Sequence, residues 1–231
     1  MSITTLAFDV LGTVLDEDAG MRAACTALAP GRVEELFTSW NRARSARARA
    51  MAAGEAAYTP GAATDLAALR TALADLALEP AEEDVRAAGR FGHRLAPFPD
   101  SPPAFERLFR HYRLVTLTTA GLAQATDMSF ASGLRWHMML SCELVGANKP
   151  DPRTYRFLLE RLELDPAEVL FVAAHEYDVE AAATFGMRTA FVDRVGLPAD
   201  DLDRLAERFT YVTPDLQALA DRLLPPPPVA R

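Results

Sequence analysis

The chain has 231 residues, of which 50% are hydrophobic, and a formal net charge of −8 at pH 7. This length allows one large domain or a core domain with a smaller insert. An acidic surface repels nucleic acids and anionic membranes, so we expect neither as a partner, and an anionic substrate needs a locally basic pocket.

The N-terminal residues lack the basic-then-apolar pattern of a signal peptide, and no apolar run approaches the ~18 residues that span a bilayer. We therefore expect a cytoplasmic protein. The two cysteines, Cys25 and Cys142, are far apart and have no neighbouring metal-ligand pattern. Reduced, packed thiols are expected, rather than a disulfide or a zinc site.

Apolar runs rich in β-forming residues predict strands, and they are continuous, as in parallel strands covered on both faces. Helix-like segments separate the later runs, which predicts a three-layer, Rossmann-like α/β core with a mostly parallel sheet. The predicted strands are TTLAFDV, YRLVTLTT, EVLFVAAH, RTAFVDR and YVT, and the predicted helices are 122–132, 152–162 and 179–185.

Residues from about 18 to 95 interrupt this alternation, because they are rich in Ala and Arg and have helical periodicity. The prolines of APFPDSPP mark the return to the core. We predict a core domain of residues 1–16 and 97–231 and a helical domain of residues 17–96, inserted after the first strand. The final PPPPVAR is predicted to be a stiff polyproline tail.

Polar residues follow several predicted strands, at the edge where open parallel sheets bind ligands. An acid, hydroxyl groups, an ammonium group and a second acid would meet there, which is typical of a catalytic site. Taken singly, each could cap a turn or face solvent. The candidates are Asp9 and Thr13 after the first strand, Thr118 and Thr119 after the second, Lys149 in GANKPDP, and His175 and Asp178 in AAHEYD.

In this combination the motifs resemble those of the haloacid dehalogenase superfamily of hydrolases. DVLGT is similar to the first motif, with Asp9 as nucleophile, and LTT to the second. KPDP is similar to the third motif, with Lys149, and AAHEYD to the acidic fourth. The resemblance covers the core in order, and the helical insert resembles the cap that such hydrolases carry between the first two motifs.

Phosphatases of this superfamily carry a second acid two residues after the nucleophile, and a fourth-motif acid that helps to hold Mg²⁺. Here these positions are Leu11 and Ala174. A halide leaves without a proton, whereas a phosphate ester needs a proton donor and a cation. The pattern is instead similar to the L-2-haloacid dehalogenase branch, which implies no metal and no organic cofactor.

The resemblance implies covalent catalysis, in which Asp9 displaces halide and water then hydrolyses the aspartyl ester. Lys149 would keep Asp9 ionised, Thr13 would fix its second oxygen, and Asp178 would pair with Lys149. The implied substrate-binding residues are Leu11, Asn41, Arg42, Thr118, Thr119, Tyr155 and Tyr177.

Some positions depart from the branch. An Arg follows the cap Trp there, whereas here Trp40 is followed by Asn41 and then Arg42. Either Arg42 takes over near the departing halide, or halide stabilisation is weaker, or the substrate is different. The basic face of this helix could equally be solvated and cover the cap. His175 stands where the branch carries Asn, and could be the base for the hydrolytic water or a packed, hydrogen-bonded histidine.

The leading hypothesis is a hydrolase that displaces halide from the 2-carbon of a short 2-haloalkanoic acid. Ring opening of a small strained heterocyclic acid, a Mg²⁺-dependent phosphatase and a non-catalytic relative are the alternatives. A homodimer is compatible with the resemblance, since cap helices often pair in this branch, but the sequence leaves the oligomeric state open.

Overall fold

The computed structural model describes residues 2–224, and within them the strands form one six-stranded sheet in which all neighbours are parallel. Helices cover both faces, which confirms the predicted α/β fold. The strands are β1 Thr5–Phe8, β2 Arg113–Thr118, β3 Met138–Ser141, β4 Val169–Ala173, β5 Arg188–Val192 and β6 Tyr211–Thr213. We did not predict β3, because its sequence, MMLS, is short and has no β-branched residue.

The predicted helix 122–132 has the predicted bounds, whereas the one predicted from residue 179 begins at Glu176. Asp178 therefore lies inside the first turn of this helix. The α-helices in chain order are α1 Glu17–Leu28, α2 Val33–Ala52, α3 Gly61–Asp75, α4 Glu82–Ala88, α5 Ser101–Leu108, α6 Leu122–Ser132, α7 Pro152–Arg161, α8 Glu176–Ala183, α9 Ala199–Ala206 and α10 Leu216–Leu223.

The core has one apolar layer on each face of the sheet. In β1, Leu6 and Phe8 belong to the layer beneath α5 and α10, and Ala7 belongs to the layer that includes α7 and α8. Because both faces of each central strand are buried, the strand sequences are apolar throughout instead of alternating.

Strand order sets the position of the candidate site. Across the sheet the order is β3-β2-β1-β4-β5-β6, so the chain runs to one side of β1 first and then continues on the other side. The order therefore reverses between β1 and β4, and such a switch point leaves a crevice at the carboxyl ends of the two strands. Asp9 follows β1 and His175 follows β4 by two residues, so the fold brings both to this crevice.

The helical region, residues 17–94, has an apolar cluster of its own around Met21, Trp40 and Leu69. The Trp40 indole donates a hydrogen bond to the Asp65 carbonyl oxygen at 2.9 Å. A division into domains at residues 17–96 stays a prediction. No helix of the described chain is long and apolar enough to cross a membrane. The PPPPVAR tail lies outside the described residues.

Candidate active site

Asp9 is buried at the end of β1, and three side chains contact its carboxylate. Lys149 Nζ donates to Oδ1 at 2.6 Å, and the Thr13 hydroxyl donates to Oδ2 at 2.7 Å. His175 Nδ1 lies 3.1 Å from the same Oδ2. The loop can bring these groups together because Gly12 adopts φ +73°, a left-handed conformation in which a Cβ atom would come 3.2 Å from the His175 ring.

Lys149 links Asp9 to a second carboxylate. Its Nζ lies 2.5 Å from Asp178 Oδ2, and the Tyr155 hydroxyl donates to Asp178 Oδ1 at 2.5 Å. All four side chains are buried. One ammonium group thus bridges two carboxylates, and Tyr155 fixes the further one.

The pKa of Asp9 results from two opposed effects. Burial favours the neutral acid, but the Lys149 ammonium and the hydrogen bond from His175 outweigh it and hold the pKa well below the ordinary 3.8. Asp9 is therefore a carboxylate at neutral pH, which is the form that can act as a nucleophile.

The pKa values of three neighbouring groups are raised above their ordinary values. Burial would lower the pKa of Lys149, but Asp178 and Asp9 raise it above 10.5. The hydrogen bond to Asp9 likewise overcomes burial and raises the pKa of His175 above 6.5. Burial raises the pKa of Asp178, although Lys149 opposes this shift. The resting site therefore has an ammonium group and a histidine whose protonated form is stabilised by the Asp9 carboxylate.

Asp9 opens onto a cavity of about 220 Å³ between the sheet edge and the helical region. The predicted residues Leu11, Asn41, Thr119 and Tyr177 line it together with Asp9, Lys149 and His175. The structure thus brings most of the predicted site residues together, and their individual roles stay predictions.

Three predicted substrate-binding residues do not line this cavity. Arg42 lies 3.5 Å from Asp75 on the surface, with 70% of its side chain exposed. The geometry therefore favours a solvated Arg42 over one that contacts the halide. Thr118 is fully buried, and its hydroxyl accepts the Ala120 N–H at 3.1 Å. Tyr155 is also fully buried, and it positions Asp178 instead of contacting the cavity.

The sequence reasoning missed a polar group at the cavity wall supplied by the helical region. Arg44 lies there between Glu17 Oε1, at 2.5 Å, and Asp65 Oδ1, at 2.7 Å. Burial, together with the charge of Glu17, raises the pKa of Asp65 to about 6 despite Arg44. Spacing could have identified Arg44, because it lies three residues after Asn41 on the same face of α2. Nothing in the sequence links Glu17 or Asp65 to this position, since they come from α1 and α3.

The residues present do not fit the Mg²⁺ site of a phosphatase. Leu11 and Ala174 offer no side-chain oxygen, and Lys149 Nζ already bridges Asp9 and Asp178. Across residues 2–224, moreover, no group of three or more His, Cys, Asp or Glu side chains is arranged to hold a metal ion. Magnesium prefers several oxygen ligands in octahedral geometry, and this donor set does not provide them.

The fold is a parallel, three-layer α/β fold with a buried carboxylate and ammonium pair at the carboxyl edge of its sheet, and comparison with known proteins assigns such a protein to the hydrolases. The model of the haloacid dehalogenase-like hydrolase family matches residues 3–186. The chain belongs to this family and is an enzyme of the hydrolase class, as the sequence resemblance predicted.

Several of the relatives that this chain resembles are (S)-2-haloacid dehalogenases. (S)-2-haloacid dehalogenase 1 from Pseudomonas sp. (strain CBS-3) is 26% identical over 211 residues, covering 86% of this chain and 88% of the relative. The (S)-2-haloacid dehalogenase of Xanthobacter autotrophicus is 29% identical over 198 residues, covering 85% and 78%. These relatives confirm the resemblance to the L-2-haloacid dehalogenase branch.

Solved structures agree with this grouping. The crystal structure of the L-2-haloacid dehalogenase PA0810 has a TM-score of 0.86 and 28% identity, covering 96% of this chain and 99% of that one. The Xanthobacter autotrophicus enzyme with chloropropionic acid covalently bound has a TM-score of 0.82 and 25% identity, covering 94% and 97%.

Proposed function

We propose that the protein hydrolyses the carbon–halogen bond of short 2-haloalkanoic acids through an aspartyl ester and releases a 2-hydroxy acid. The observation that carries the proposal is a buried, ionised Asp9 fixed by Lys149 at 2.6 Å, with Leu11 where a phosphatase keeps its proton donor. A halide leaves without protonation, so displacement of halide needs the nucleophile Asp9 and does not need a proton donor at position 11.

In the first step an Asp9 oxygen attacks the 2-carbon from the side opposite the halogen. A carbon–oxygen bond forms, the carbon–halogen bond breaks with its electron pair on the halide, and the carbon is inverted. Thr13 and Lys149 hold the carboxylate in a fixed orientation, which lowers the entropic cost of the attack. Leu11 and Tyr177 form apolar walls around the reacting carbon, while Thr119 and the backbone N–H groups after Asp9 receive the substrate carboxylate.

In the second step water attacks the ester carbonyl carbon, and His175 takes the proton. Ester formation removes the hydrogen bond to the Asp9 carboxylate and its charge, which are the main causes that raise the pKa of His175, so the pKa of His175 falls in the ester. His175 is therefore a donor to Asp9 at rest and becomes a neutral base in the ester. It returns the proton to the departing alkoxide, and the regenerated Asp9 acid loses its proton to solvent.

The decisive experiment measures halide release from L- and D-2-chloropropionate, chloroacetate and fluoroacetate, in EDTA and again with Mg²⁺, with p-nitrophenyl phosphate in parallel. Halide release in EDTA supports the proposal. No halide release from any haloacid, together with Mg²⁺-dependent phosphate release, refutes the proposal in favour of a phosphatase. No activity on either substrate class refutes the proposal in favour of another substrate or of a non-catalytic role.

The arginines of α2 are expected to differ in their effect on substrate binding. Arg44→Ala leaves Glu17 and Asp65 uncompensated at the cavity, so we expect KM for a haloacid to rise about tenfold or more. Arg42→Ala removes an exposed side chain outside the cavity, and we expect KM to change less than about twofold. Steady-state kinetics of both variants tests this, and a larger effect at Arg42 would contradict the geometry.

His175→Asn is expected to slow ester hydrolysis about 10²-fold or more, because general-base assistance is lost, while halide displacement is less affected. In the wild type the hydrolysis rate should rise with pH as His175 loses its proton, and the variant should lack this rise. Rapid-quench mass spectrometry of the protein measures the accumulated ester. The exposed His111→Asn serves as the control, and an unchanged rate of ester hydrolysis in His175→Asn would exclude the base.

A further inference from the structure

One wall of the cavity carries three hydrogen-bond acceptors, which we call the acceptor wall: Glu17, Asp65 and Gln124. All three line the same cavity as Asp9. Glu17 and Asp65 share one cation, Arg44, which lies 2.5 Å from one carboxylate and 2.7 Å from the other. Two carboxylates against one guanidinium leave one negative charge, and both side chains are mostly shielded from solvent, at 18% and 6% exposure.

Gln124 supplies an independent observation. The residue is 2% exposed, and its Oε1 atom has no hydrogen-bond partner among the described residues. A buried acceptor without a partner destabilises the folded state, so native proteins seldom retain one without a reason.

Two glycines flank the amide of Gln124. A Cβ atom at Gly92 would come 2.1 Å from Gln124 Nε2 and 3.9 Å from Asp65 Oδ2, so the amide and the Asp65 carboxylate both lie beside Gly92. The oxygen end lies towards Gly61, which also lines the cavity. The absence of a side chain at both glycines leaves room for the amide, and its free acceptor lies beside Gly61 at the edge of the cavity.

We infer that the acceptor wall binds an ammonium group of the substrate, so that the preferred substrate is a short 2-haloalkanoic acid that also carries an amino group. The inference rests on the proposed function for the reacting carbon and adds the chemical class of the rest of the molecule. An ammonium group has three donors for three acceptors and offsets the wall's remaining charge. A hydroxyl group would satisfy Gln124 and leave that charge in place, and an alkyl group would satisfy neither.

A binding experiment tests the wall without any chemistry. Isothermal titration calorimetry of the wild-type protein compares 3-aminopropanoate with butyrate, which have the same shape and differ by an ammonium in place of a methyl group. We expect 3-aminopropanoate to bind about tenfold or more tightly. Equal affinity, tighter binding of butyrate, or no binding of 3-aminopropanoate would overturn the inference.

Variants assign the preference to the wall. Gln124→Leu and Glu17→Gln are each expected to reduce the preference about threefold or more, while the exposed Glu83→Gln on α4 changes the same charge far from the cavity and should leave it intact. Gln124→Leu keeps the shape of the side chain and Glu17→Gln keeps its hydrogen-bonding capacity. An unchanged preference in both folded variants would overturn the assignment.

Turnover separates this inference from the proposed function. Halide release is compared for 3-amino-2-chloropropanoate and its isostere 2-chlorobutyrate. Faster halide release from 3-amino-2-chloropropanoate supports both proposals. Equal release from the two substrates supports the proposed function and overturns the ammonium site at the acceptor wall. No release from either, with 3-aminopropanoate still preferred in binding, refutes the proposed function and retains the ammonium site.

Discussion

Asp9→Asn is expected to reduce halide release by about 10³-fold or more, because a neutral amide is a far weaker nucleophile than a carboxylate. The fold should survive, since the amide retains the shape of the carboxylate and Thr13 can still donate to its oxygen. Halide release is measured at saturating 2-chloropropionate, directly after purification, and mass spectrometry monitors deamidation back to Asp.

The matched control is Asp18→Asn, which makes the same change at an exposed side chain on α1. It should retain wild-type turnover. An Asp9→Asn protein that releases halide without deamidating would contradict the covalent mechanism.

Lys149→Met is expected to abolish turnover and also to destabilise the fold by about 3 kcal/mol or more at neutral pH. The ammonium group is the shared partner of two buried carboxylates, Asp9 and Asp178, and without it the two repel each other in a poorly solvated environment. Urea unfolding of the wild type and the variant measures the difference in the free energy of unfolding.

The difference in the free energy of unfolding between the wild type and Lys149→Met depends on pH, and the directions of the pKa shifts predict how. Lys149 has a raised pKa, so its stabilising effect is complete below 10.5 and is lost only as the pH rises through the higher folded value. Asp9 has a lowered pKa, so its stabilising effect is present above 3.8 and is lost as the pH falls through the lower folded value. In the variant Asp178 takes up a proton more readily, so the difference in stability narrows as the pH falls.

A second variant separates stability from catalysis. Lys149→Met combined with Asp178→Asn removes one of the two repelling charges, and Tyr155 can still donate to the amide oxygen that takes the place of the carboxylate oxygen. The double variant should regain much of the lost stability and remain inactive. Equal instability of the single and double variants would contradict the assignment of the loss to buried charge.

The sequence determined the fold class and the chemical groups at the ends of the strands. Continuous apolar runs such as TTLAFDV require strands buried on both faces, and the helices between them require parallel connections. The motifs around Asp9, Lys149 and Asp178 identified the family, because these residues precede or follow strands that end at one edge of the sheet. The proposed distinction from a phosphatase depends on Leu11 in place of an acid, which is a local property of the sequence.

Only the tertiary structure decided which side chains form the cavity wall. Neighbouring arginines of α2 differ by the face of the helix on which they lie, so Arg42 is on the surface and Arg44 is in the cavity. Residues from α1, α2, α3 and α6 meet around the cavity, and no spacing in the chain relates Glu17 to Asp65 or to Gln124. Strand ends share an edge by the regularity of the sheet, whereas contacts among helices depend on how their surfaces pack, and that packing is set by the whole fold.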